Sequence, residues 1–268
     1  MSFQELRTAS LHWLCERHAE TKAKGVLALA ESALPINTEI KLNHSDTIPG
    51  HPDKPLLVSP LAVEKRSMRT LEGRAALIHA LTHIEFNAIN LALDAIWRFA
   101  DMPEDYYRDW LKVATEEAYH FNLLNQHLKS LGYEYGSFNG HNSLWEMVER
   151  TQDDVLVRMA LVPRTMEARG LDASPPLRKK LAQAGDIAAA EILDVILRDE
   201  VGHVAIGNHW FNWLCEQRGL APIETFETLC IQYKAPKPRP PFNMEARRKA
   251  GFTELELAYL NGDMLYSQ

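Results

Sequence analysis

One pattern occurs twice in this chain, each time inside stretches whose apolar residues recur with helical spacing: a glutamate, and about thirty residues later a Glu-x-x-His. In the first copy Glu85 precedes Glu117 and His120 (117 − 85 = 32); in the second Glu167 precedes Glu200 and His203 (200 − 167 = 33). A Glu and a His three apart share a helix face, one turn from each other. The face of Glu85 also carries Ile78, Leu81, Ala88, Ile89 and Ala92, and that of Glu117 and His120 carries Trp110, Val113, Ala114, Phe121 and Leu124. Leu193, Ile196, Leu197, Val204 and Gly207 surround Glu200 and His203, while Ala160, Arg164 and Leu171 surround Glu167. An unpaired carboxylate in an apolar stripe costs several kcal/mol, so these four stripes must meet around something that compensates their charge. With eleven His in the chain one Glu-x-x-His is expected by chance, but a doubled unit with spacing matched to one residue is not.

The rest of the chain reads as all-α, with no convincing alternating strand. Residues 3–33 predict one or two helices, and a Pro-marked stretch then breaks the pattern to about residue 60. The first long helix is expected from near Thr70 to Ala100, and DMPED (Asp101–Asp105) as the turn into a second that ends near Leu131. Gly132–Ser143 reads as an irregular connection. A third helix is expected over Leu144–Ala168, stopped by Gly170, with DASPP (Asp172–Pro176) separating it from a short helical piece and a fourth helix over Asp186–Arg218. A last short helix is expected after Thr253.

Two geometric tests bear on the pattern. The midpoint of Glu85 and Glu117 is residue 101, inside the expected turn, so an antiparallel hairpin sets these carboxylates level. The midpoint of Glu167 and Glu200 lies near Gly185, away from the DASPP signal, so the second hairpin is expected to be less regular. The connection 132–143 is long enough, at up to about 40 Å extended, to cross the length of a bundle. The expected organisation is N-terminal helices and a covering loop over 1–66, a four-helix bundle with one long crossover over 67–217, and a C-terminal helix and tail over 218–268.

Composition narrows function. A net charge of −7 gives no electrostatic reason to bind nucleic acid or an anionic membrane. No stretch approaches 18 uncharged apolar residues, and MSFQELRTAS lacks the signature of a secretory signal. Cys15, Cys215 and Cys230 are scattered and odd in number, which fits packing roles in a reducing cytosol. The expected location is cytoplasmic.

A Glu from each of two helices plus Glu-x-x-His from each of the other two, in a bundle with one long crossover, resembles the ferritin-like carboxylate-bridged di-iron or di-manganese proteins. More narrowly, RDEVGHVAIG (Arg198–Gly207) and FNMEARRKAGF (Phe242–Phe252) are similar to the ferritin-like family catalogued as domain of unknown function 455. The resemblance implies two iron ions, with manganese the alternative, held by Glu85, Glu117, His120, Glu167, Glu200 and His203. Four carboxylates balance two divalent cations, and a donor set without thiolate suits iron or manganese. Behind the ligands, Asp199 is expected on His120 and Glu116 on His203, fixing each imidazole. Arg164, one turn before Glu167, is expected to pair with it or with a substrate carboxylate. Gly207 is expected to leave open volume for an apolar pocket walled by Val204, Phe121 and Leu124.

His79 and His83 lie on another face and read as structural, and Arg247, Arg248 and Lys249 read as a solvated face. The implied activity is an oxygen-activating oxidase or hydroxylase acting on a small-molecule or RNA-borne substrate, with an electron donor if it is a monooxygenase. Ferroxidase or iron handling, tRNA hydroxylation and a non-catalytic metal-binding scaffold are the alternatives. Substrate and oligomeric state stay open.

Overall fold

The computed structural model describes residues 3–44, 46–64 and 66–262. The described chain is helical: α1 (Leu6–Cys15), α2 (Ala19–Glu31), α3 (Leu71–Arg98), α4 (Glu104–Ser130), α5 (Ser143–Arg150), α6 (Val155–Leu161), α7 (Ala168–Gln183), α8 (Ile187–Gln217), α9 (Pro222–Gln232), α10 (Met244–Lys249) and α11 (Glu254–Asn261). A 3-10 turn covers Pro60–Ala62 and a π-helical segment Val162–Glu167. Among the described residues the extended pairing is a single bridge, Leu57 to Gly140. No described helix is long and apolar enough to cross a membrane. The chain divides into two units: Met1–Trp145 with Leu181–Ile192, and Glu146–Lys180 with Leu193–Gln268.

The first unit is built on the α3/α4 hairpin, whose ends match the sequence reading closely. Thr70 caps α3 by accepting from the Gly73 N–H at 3.0 Å, and Asp101 turns the chain in a left-handed conformation with φ 61°. Helices α1 and α2 pack on this hairpin. Two buried cations bind them to it. Arg7 donates to the carbonyls of Ile96 and Trp97, which end α3 without helical partners, and also to Asn37, Thr38 and Ile40 in the loop after α2. Lys22 donates to the carbonyls of Leu14 and Gly50 and to Asn90 Oδ1. Asn90 belongs to a buried polar stripe on α3, His79, His83, Asn87, Asn90 and Asp94, on the face that Glu85 does not use.

In the second unit the third helix departs from expectation in three ways. It breaks after α5, where Asp154 caps α6 by accepting from the Leu156 N–H at 2.8 Å. It widens to a π segment at Val162–Glu167, in which Thr165 Oγ1 donates five residues back to the Ala160 carbonyl. It then continues through Gly170 and DASPP, with Pro175 and Pro176 inside α7. Proline at 175 removes the N–H that would satisfy the Leu171 carbonyl. Asn243 Nδ2 supplies a donor to that carbonyl at 3.3 Å, so tertiary contact replaces the missing helical bond. The turn comes instead at Gly185, φ 83°, where the Glu167/Glu200 midpoint falls. Packing of Ala168 and Leu171 with Val204, and the Arg178–Asp194 pair at 2.9 Å, set α7 antiparallel to α8.

Candidate metal centre

The hairpin does what the residue-101 midpoint requires of it. Glu85 on α3 and Glu117 and His120 on α4 come together in the apolar interior, 4 %, 0 % and 0 % exposed. Their ligand atoms lie within 4.8 Å of one another. His120 Nδ1 stands between the two carboxylates, 3.4 Å from Glu85 Oε2 and 3.3 Å from Glu117 Oε2. Burial works against a charged imidazole here, but the hydrogen bonds and charges of Glu117 and Glu85 outweigh it and push His120 up to about 11. Burial, followed by the charge of Glu117, holds Glu85 well above the ordinary carboxylate range. The cluster is therefore an anionic hole that favours a positive charge at one point. Two carboxylates and an imidazole form a donor set that fits a divalent cation at that point.

In the second unit Glu200 and His203 lie one turn apart on α8, with Glu200 Oε1 3.7 Å from His203 Nδ1, both buried. Leu193, Ile196 and Val204 on the same stripe are buried as well. Glu167 is the last residue of the π segment and is also buried. A π turn inserts an extra residue and rotates the remainder of the helix about its axis, a device frequent at functional sites.

Several expectations around the site change. Gly207 opens no volume: a Cβ there would stand 2.4 Å from Pro163 Cβ and 2.6 Å from its Cγ, so the glycine is where α8 seats the proline of the π segment. Arg164 does not turn to Glu167; it donates through Nη1 to Asn208 Oδ1 at 2.6 Å and through Nη2 to Glu256 of α11. Arg247 is buried rather than solvated, joined through Nη2 to Asp172 Oδ2 at 2.5 Å, although its neighbours Arg248 and Lys249 are exposed. Apart from these changes, Asp199 accepts from its neighbour Arg198 at 2.8 Å and Glu116 lies 4.0 Å from Lys112, contacts compatible with each acid also facing an imidazole.

His79 and His83 fasten the crossover connection. His79 Nε2 accepts from the Gly136 N–H at 3.0 Å, and His83 Nδ1 is 2.8 Å from the Tyr135 hydroxyl. Burial pushes both imidazoles down to about 4, so they are neutral. Gly140 lets the connection approach, since a Cβ there would lie 2.8 Å from the His83 ring.

With the geometry in place, comparison with known proteins assigns the family. Residues 11–258 match the family described as protein of unknown function (DUF455). The chain belongs to that family. An uncharacterised protein of Haemophilus influenzae is 47 % identical over 271 residues, which covers 96 % of this chain and 93 % of its own length. No solved structure matches the chain. For this DUF455 member the site therefore rests on its own donors: a buried Glu/His cluster able to hold a metal ion.

The sequence reading missed the buried cations Arg7 and Lys22. The signal was present in the polar stripe at 79, 83, 87, 90 and 94, whose helical spacing marks a second packed face on α3.

Proposed function

We propose that this DUF455 protein is a ferritin-like dinuclear metal protein that activates dioxygen to oxidise or hydroxylate a small organic substrate. Glu85, Glu117 and His120 would hold one side of the metal pair and Glu167, Glu200 and His203 the other, with the four long helices as the bundle around it. The observation that carries this reading is the buried Glu85–His120–Glu117 cluster, whose electrostatics favour a cation. Repetition of the same motif as Glu167 and Glu200-x-x-His203 supports the second half. When bound, two ferrous ions, or manganese in their place, supply electrons for the reduction of dioxygen. The protein's own part is to present both imidazoles as ligands, to neutralise the cations with four carboxylates, and to keep bulk water out with the apolar stripes. In this reading Asp199 orients His120 and Glu116 orients His203.

Metal analysis of protein produced with iron, followed by anaerobic reduction and an absorbance trace on adding dioxygen, tests the proposal. Two ions per chain and an optical change stoichiometric with them are expected. A chain that holds no iron, or one that accumulates a mineral of far more than two ions per chain, overturns it.

A further inference from the structure

Arg164 lies in a recess of the second unit that is built more elaborately than an ion pair requires. It is 3 % exposed, and three aromatic rings, Phe211, Phe226 and Phe252, stand with their centres 4.9, 4.7 and 5.0 Å from its guanidinium carbon. Asn208 Oδ1 accepts from Nη1, and Asn208 is itself held by its Nδ2 bond to the Ala250 carbonyl at 2.7 Å. The remaining edge of the guanidinium, Nε with Nη2, is the fork that carboxylates bridge. Arg178 with Asp194, Arg247 with Asp172 and Arg248 with Glu254 all use both atoms of that edge. Arg164 does not. Its Nη2 meets Glu256 Oε1, while Nε is buried with no hydrogen-bond partner among the described residues.

The reason is visible in Glu256. Its other oxygen, Oε2, accepts from Thr253 N and Oγ1 at 2.7 and 2.8 Å as the capping box of α11, so one carboxylate is divided between two tasks. A buried donor left unmatched is unfavourable, and an undivided carboxylate would satisfy it. Helix α11, which carries Glu256, has eight residues, and only Leu257 among them is buried. Besides this half-used pair, the exposed Arg248–Glu254 pair ties α11 to α10.

We propose that the Arg164 recess is a binding site for an organic carboxylate with a flat apolar body, and that Glu256 is its built-in occupant. The ligand's carboxylate takes the Nε/Nη2 fork, its body lies against the phenylalanine rings, and α11 lifts as Glu256 leaves. No bond is made or broken. None of these groups is a proposed metal ligand, and the test uses no metal.

Benzoate is the probe, with the full-length chain. Titration calorimetry should show weak binding to the wild type, and Glu256→Gln, which retains a capping oxygen but removes the competing charge, should bind at least about tenfold more tightly. Arg164→Gln should abolish binding. In the wild type, saturating benzoate should speed amide hydrogen exchange in α11. Equal affinity in wild type and Glu256→Gln, binding that survives Arg164→Gln, or no binding to either protein overturns the proposal. Should Glu256→Gln fail to fold by circular dichroism, the wild-type exchange experiment decides alone: unchanged exchange in α11 at saturating benzoate refutes displacement.

Discussion

Replacing Lys22 with Met isolates the buried ammonium that joins α2 to α3. Lys22 Nζ has three oxygen acceptors, two at 3.1 Å, and lies 4.8 Å from the centre of the Phe86 ring. Burial is the largest influence and pushes its pKa from 10.5 to about 7, although Cys15 and Glu16 favour the charged form. Between these values the unfolded chain binds more protons than the folded one, so stability rises with pH across that window. Below pH 7 both states are protonated and the contribution is constant. Each pH unit in the window is worth about 1.4 kcal/mol, so from pH 7 to pH 9.5 Lys22 adds about 3 kcal/mol of stability. Met leaves the three acceptors without their donor at a cost of about 1–3 kcal/mol each, but that cost does not vary with pH. The decisive quantity is therefore the difference between wild type and Lys22→Met, since other titrating groups cancel. Urea unfolding of both proteins at matched ionic strength, from about pH 6.5 to about pH 9.5, measures it. A difference that stays flat over this range refutes the reasoning, because it would mean that the three oxygens keep the ammonium as fully charged in the fold as in water.

The helices around the site carry further expected outcomes. Gly207→Ala drives a methyl into the Pro163 ring and should lower stability by about 1–3 kcal/mol, whereas Gly170→Ala, with no atom within 4 Å of the added carbon and a helical position, should raise it by about 0.5–1 kcal/mol. Denaturant midpoints compare the two, and a neutral Gly207→Ala would show that the π segment yields easily. Glu117→Ala and Glu200→Ala should each lose at least one iron per chain by metal analysis while Glu116→Ala retains the wild-type stoichiometry. Two ions retained in Glu200→Ala would remove Glu200 from the proposed ligand set.

The sequence by itself determined the long helices and the first half of the site. Apolar spacing fixed the faces of α3 and α4, DMPED supplied their turn, and a 32-residue separation centred on that turn was enough to bring Glu85, Glu117 and His120 together. Such information is local or arises from symmetry about a turn, so a linear reading recovers it. The third helix shows the opposite case. DASPP is a strong stop signal in isolation, yet α7 runs through it because Asn243, 72 residues away, meets the carbonyl that proline leaves unbonded. Gly207 read as empty space because its occupant, Pro163, lies on another element. Arg164 read as a partner for Glu167 because helix spacing suggests it, and only the fold brings Asn208 and Glu256 to its guanidinium. Tertiary structure decided these points because a buried polar or backbone group takes whichever partner packing delivers, and packing joins residues that the sequence holds far apart.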